Sequence, residues 1–157
     1  MAWANSSIFR QWVADMITRT EAMDVDTDVH KVALYNNTGT PSKDSTAANS
    51  AYAVDQWVVG NEVSQAVQWP VAGVALAGKA VTTPSTGVVM FDGTDTASGS
   101  AATLASVFGC LVYDDTMTTP VADQGVSFHY FGGTQSVTNG TFTVVWHANG
   151  LFRITVT

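Results

Sequence analysis

Residues 141–148 read Thr141-Phe142-Thr143-Val144-Val145-Trp146-His147-Ala148, and Asn149-Gly150 separates them from Leu151-Phe152-Arg153-Ile154-Thr155-Val156-Thr157. Asn-Gly tolerates positive φ at both central positions of a type I′ turn, whose twist matches the strands it joins. The pattern predicts a β-hairpin in which Ala148 faces Leu151 and Trp146 faces Arg153. Phe142, Val144, Trp146 and Leu151 would then line one face, and Val145, Phe152, Ile154 and Val156 the other. Apolar groups on both faces leave neither free for water, so the hairpin is expected inside a larger all-β assembly.

The rest of the chain fits that frame. Strand-like runs stand at 30–35, 56–63, 74–82, 87–91, 104–113 and 127–131, the last broken by Gly132-Gly133. With the terminal pair they make about eight or nine short strands at near-regular spacing, the pattern of an antiparallel β-sandwich or jelly roll. Residues 36–50 are dense in turn formers with almost nothing to bury, and form a surface loop longer than most connections. Residues 92–100 form a second small-residue loop, and Thr83-Pro84-Ser85-Thr86 a turn. Val32-Ala33-Leu34-Tyr35-Asn36-Asn37-Thr38 is echoed by Cys110-Leu111-Val112-Tyr113-Asp114-Asp115-Thr116, and each echo ends at a Thr-Pro pair. Either duplication or ordinary turn chemistry produces such a match.

Residues 5–20 carry the one strong helical period. Ile8, Phe9, Trp12, Val13, Met16 and Ile17 fall on one stripe, with Arg10, Gln11, Asp15, Thr18 and Arg19 facing away and Asp15 four residues before Arg19. An N-terminal amphipathic helix and linker over 1–28 therefore precedes a β domain over 29–157 within one compact unit. The six stripe residues either cover their own sheet or form the candidate subunit contact.

Composition narrows the partners. Of 157 residues only 12% are charged, against about 25% in an ordinary soluble domain. The net charge of −7 repels phosphate backbones and anionic membranes, so neither nucleic acid nor membrane is an expected partner. No run of about 18 apolar residues exists to span a bilayer, and no basic-then-apolar leader opens the chain. The single cysteine, Cys110, lies in an apolar run and permits no internal disulfide. These features suit synthesis and assembly in a cytoplasm.

No phosphate-cradling glycine loop, nucleophile elbow or Cys/His cluster is present, so no enzyme and no cofactor is expected. Asp24-Val25-Asp26-Thr27-Asp28 opens like a calcium loop, but the sixth and twelfth positions are Val29 and Tyr35 where glycine and a carboxylate are needed. His30, His129 and His147 are dispersed, and the adjacent pair Asp114-Asp115 points to opposite faces of a strand. Trp57, Trp69 and Trp146 could make an aromatic platform for sugars, with Arg153 stacked on Trp146, although core packing is the usual fate of such rings.

Taken in order, Lys31-Val32-Ala33-Leu34-Tyr35, Gly60-Asn61-Glu62-Val63-Ser64, Gly73-Val74-Ala75-Leu76-Ala77-Gly78-Lys79, Leu111-Val112-Tyr113-Asp114-Asp115 and Gly140-Thr141-Phe142-Thr143-Val144-Val145-Trp146 resemble a group of small structural proteins of tailed bacteriophages. The resemblance runs from about residue 29 to the C-terminus and carries no catalytic motif or site residue. It implies a virion component assembled in the bacterial host, a capsid decoration or cement protein. Such a subunit would pair with itself, as a trimer, and with the major capsid protein. A tail or fibre role and a carbohydrate-binding β-sandwich remain the alternatives.

Overall fold

The computed structural model describes residues 3–18 and 23–157. The fold is mainly β, 40% strand against 13% helix, and its sheets are antiparallel. Its centre is a five-stranded sheet in the order β1-β8-β7-β2-β3. These strands are β1 (Ser7–Ile8), β2 (His30–Tyr35), β3 (Val74–Ala75), β7 (Ala102–Asp114) and β8 (Gly125–Gly140). A three-stranded sheet joins β4 (Ala80–Ser85), β5 (Val88–Asp92) and β10 (Phe152–Thr155) in the order β10-β5-β4. A two-stranded ladder pairs β6 (Thr96–Ala97) with β9 (Thr143–Val144).

Period-two alternation assigns the faces of the central sheet. Val32, Leu34, Cys110 and Val112 turn to a core shared with Trp69, Leu76, Phe91, Phe142 and Trp146. Ala33, Tyr35, Leu111, Tyr113, Val126 and Phe128 turn to the opposite side, against Trp3, Phe9, Trp12 and Trp57. The sheet is thus buried on both faces, which explains why β2 and the second half of β7 read as continuous apolar runs. The two echoed segments are neighbours in this sheet. Ala33 pairs with Leu111 and Leu34 with Cys110, so the echo is centred on the Ala33–Leu111 pair and its copies run antiparallel.

The predicted terminal hairpin does not form. A turn is present one residue earlier than expected, with Gly150 N donating to His147 O at 2.7 Å, Ala148 and Asn149 central and only Gly150 at positive φ, and the arms part from each other. Val144 pairs with Thr96, while Phe152 pairs with Phe91 and Ile154 with Val89. An arm with apolar groups on both faces gains more by joining a separate sheet than by pairing with its twin, and residues 148–150 act as the corner where the chain changes sheets. Gly150 is required there, at φ 75°, because a Cβ would lie 2.4 Å from Phe91 O. Arg153 accordingly pairs with Met90 and donates to Asn149 Oδ1 at 3.0 Å, not to the face of Trp146.

Other boundaries move for identifiable reasons. Residues 56–63 are two 3-10 turns, Asp55–Trp57 and Val59–Asn61, pinned by the buried Trp57 while Val58 and Val59 face solvent. The run 74–82 splits into β3 and β4. Gly132-Gly133 does not end β8, which continues to Gly140 through register shifts against β7. The 36–50 loop closes in a short helix, α2 (Ala47–Ser50), capped by Thr46 Oγ1 accepting from Asn49 N.

The first helix, α1, spans Arg10–Thr18. Ser7 and Ile8, expected within it, instead extend along Phe128 and Ser127 as β1. The expected extension to 20, and the Asp15–Arg19 pair, fall on 19–22, outside the described residues. Asp15 does not face away. It is buried and accepts hydrogen bonds from Gln11 Nε2 and Gln124 Nε2, both at 2.9 Å, tying α1 to the loop before β8. Among the described residues no helix is long and apolar enough to cross a membrane.

Candidate functional site

The six stripe residues divide in the structure. Phe9 and Trp12 are fully buried, Phe9 tilted on Phe128 at 5.3 Å and Trp12 edge-on to Phe152 at 5.6 Å. Ile8, Val13 and Met16 are half-buried, and Ile17 stands 73% exposed. Trp12 and Met16 are brought together with Val25 and with the α1-facing side of the three-stranded sheet around an apolar cavity of about 100 Å³. Cross-strand register explains that side: Phe91 lies between Phe152 and Val81, and Val89 beside Ile154. Its rim is open to solvent at Val81 (44%), Val89 (40%) and Ile154 (41%). The charged Arg153 and Asp92 fall on the reverse side by alternation. Among the described residues, no strand pairs with the outer edge of β4 or of β10.

Sequence reasoning missed this strip. Val89/Phe91 and Phe152/Ile154 each show period-two spacing, but which strands lie side by side is set by pairing across the chain.

A polar seam crosses the buried central sheet. His30 and Asp114 are cross-strand partners, with Nε2 and Oδ2 3.8 Å apart and both residues buried. Asp114 Oδ1 accepts from the backbone N–H groups of Thr116 and Met117. Burial holds the His30 pKa down to about 4 and pushes Asp114 up to about 6. Ser127 Oγ lies 3.0 Å from His129 Nε2, the separation of a nucleophile and its base. Ser127 is nevertheless 1% exposed, and the His129 ring stands edge-on against Trp146 at 5.1 Å, with its pKa also lowered to about 4 by burial. The Ser127 hydroxyl is thus closed off from solvent, while the His129 ring is half-buried. His147 is exposed and Asp115 pairs with Lys31 at 2.9 Å, so neither joins the seam.

The acidic run 24–28 is a turn in which Asp24 N donates to Asp28 Oδ2 at 2.8 Å, and Lys79 Nζ donates to Asp28 O. Among the described residues, no group of three or more His, Cys, Asp or Glu could hold a metal ion. The tryptophan platform is absent from the surface: Trp57, Trp69 and Trp146 are 1%, 0% and 9% exposed. Each ring is spent on the core, Trp69 also donating from Nε1 to Val32 O at 3.1 Å.

A second concavity, about 380 Å³, opens under the 36–45 loop. Thr38, Thr40, Ser42, Ser45, Asp55 and Asn61 face it, with Gly39 and Gln56 in its wall. The loop half was visible in the sequence as turn chemistry. The other half comes from the 3-10 stretch that reads as a strand, which hid the site.

No protein-family model, no curated protein and no solved structure matches the chain.

Proposed function

We propose that this chain is a non-enzymatic structural subunit of a tailed-bacteriophage virion, a decoration or cement protein that packs on the outside of the head shell and against copies of itself. The observation that carries the reading is the half-exposed apolar strip Val81, Val89 and Ile154, uncharged and set on a sheet whose two outer edges pair with no strand among the described residues. An apolar centre with hydroxyl-bearing rims is the composition of a stable subunit contact, and Thr83, Ser85 and Thr86, which line one concavity with Val89, supply such a rim here. The resemblance of the 31–35, 60–64, 73–79, 111–115 and 140–146 segments to phage structural proteins supplies the setting, and the low charge and acidic balance suit a protein that must not hold DNA.

In this reading the sheets stack as a sandwich of jelly-roll type, with the apolar stripe of α1 closing one open side. The assembly is a trimer, which suits the local threefold points of an icosahedral shell, and its second partner is the major capsid protein. Burial of about 800 Å² per partner would make the contact specific. A tail or fibre position uses the same strip on a different repeating surface.

Sedimentation of the purified protein, alone and with empty heads, tests this. The expected result is a trimer that cosediments with heads, and loss of both in Ile154→Asp and Val89→Asp, whose side chains are open enough for the fold to survive. A monomer that binds heads in neither form refutes the proposal, and cosedimentation with tails alone moves it to the tail.

A further inference from the structure

We infer that the concavity under the 36–45 loop is a binding site for a neutral polyhydroxyl ligand, a monosaccharide unit of a glycan. The inference stands independently of the virion reading.

The site is preformed. Asn36 N donates to Asn61 O at 3.0 Å, and Thr38 N to Asn36 Oδ1 at 2.8 Å. Asn61 Nδ2 donates to Gln56 O at 2.9 Å, and Arg10 N to Lys43 O at 2.9 Å, so both walls are fixed before any ligand arrives. Its volume of about 380 Å³ lies within the range of small-molecule sites, about 300–1,000 Å³.

The lining selects the ligand. Thr38, Thr40, Ser42 and Ser45 offer hydroxyls that both donate and accept, matching sugar hydroxyls, and Asp55 offers a carboxylate that can take two neighbouring ones. Among the described residues no Lys or Arg lines the site, so phosphate and sulfate meet only a negative charge there. No large apolar side chain lines it either, which disfavours lipid or aromatic ligands.

Two further features mark the wall. Gln56 Oε1 is buried with no hydrogen-bond partner among the described residues, an arrangement that costs about 1–3 kcal/mol until a donor is supplied. Rotation about the last bond of Gln56, a soft torsion, turns its amide toward the cavity, where a ligand hydroxyl can donate to it. Asp55 and Ala53 hold φ of 51° and 62°, a left-handed conformation uncommon outside glycine that is retained where a side chain must be aimed. Gly39 leaves the space open, since a Cβ there would stand 3.3 Å from Gln56 Cβ and 3.5 Å from Gln56 Oε1.

The test is amide NMR of the full chain titrated with glucose, galactose, mannose and N-acetylglucosamine to about 50 mM, with inorganic phosphate as control. A shallow site without a stacking ring predicts a Kd of about 1–10 mM. At least one sugar should shift Gly39, Gln56 and Asn61, and phosphate none of them. Asp55→Asn, which keeps the left-handed backbone accessible, should weaken binding at least tenfold, and Gly39→Ala, whose methyl presses on Gln56, should weaken it while leaving the remaining spectrum in place. No shift with any sugar overturns the inference, as do shifts that persist unchanged in both variants or phosphate shifts at the same amides. Sedimentation with heads reads the virion proposal separately, so the two can fail independently.

Discussion

Replacing Trp12 with alanine separates a core role for the helix stripe from an interface role. The ring is fully buried, packs edge-on to Phe152, and already borders a cavity of about 100 Å³ shared with Met16, Val25 and Phe91. Truncation removes most of the side chain and merges the space with that cavity, so little collapse can offset the loss. Trp-to-Ala changes in such sites cost about 3–5 kcal/mol. For a chain of this size each kcal/mol lowers Tm by about 2–4 °C, which places the expected drop at about 6–20 °C. Trp12→Phe refines the argument. The indole Nε1 is buried without a partner, so the smaller ring leaves a cavity but also removes an unpaired donor, and the two effects should offset to less than about 1.5 kcal/mol. Ile17→Ser, at a side chain mostly in water, should change stability by less than about 0.5 kcal/mol. Urea and thermal unfolding of dilute monomer, followed by tryptophan fluorescence, reads all three. A Trp12→Ala monomer that melts like the parent but no longer self-associates would refute the intramolecular role.

Three other outcomes follow from the buried seam and the corner. His30 and His129, with pKa values near 4 against an ordinary 6.5, stabilise the fold fully above pH 6.5 and lose that contribution as pH falls toward 4; Asp114, raised to about 6, contributes in the opposite sense, fully below its usual 3.8 and lost as pH rises through 6. His129→Asn should therefore shrink the stability lost between pH 7 and 4 by about 3 kcal/mol, measured by urea titration at each pH, and an unchanged slope contradicts the assignment. Gly150→Ala meets both a positive φ and Phe91 O, and should cost at least about 2 kcal/mol; a urea midpoint within error of the parent would show that the corner yields. The Cys110 thiol is fully buried and its pKa is pushed up by that burial, so a disulfide reagent at pH 8 should label it only at the rate of unfolding, and faster labelling would place it near solvent.

The sequence made the β class, strands β2 and β7 and the 36–50 loop legible because each is encoded locally, by alternation, by apolar runs or by turn residues. The terminal hairpin failed on a non-local question. The chain does turn there, one residue early over 147–150, but nothing in 141–157 says that Phe152 prefers Phe91 to an arm of its own hairpin. The same holds for the apolar strip, whose three rim residues come from three strands. Of the six stripe residues, periodicity placed Phe9 and Trp12 on the buried side correctly, but it could not show that Ile8 would extend along β8 or that the opposite side would hold Asp15 against Gln124. The hydroxyl-lined concavity was half readable, since its 3-10 wall carries valines that mimic a strand.

The seating of the first strand bears on how the protein can be made. Ser7 and Ile8 pair with Phe128 and Ser127, and Tyr130 N donates to Ser6 Oγ across 124 residues. At about 5–20 residues per second, a ribosome needs roughly 6–24 s to deliver that partner edge after β1 has emerged. Trp3, Phe9 and Trp12 have no finished sheet to cover them in that interval, so folding waits for the last quarter of the chain. Protease protection of ribosome-bound chains should stay low at every length short of β8. During that wait, β1 of one nascent chain can take the β8 edge of a neighbouring copy whose own β1 has not yet docked, which makes strand exchange between copies the natural error of synthesis.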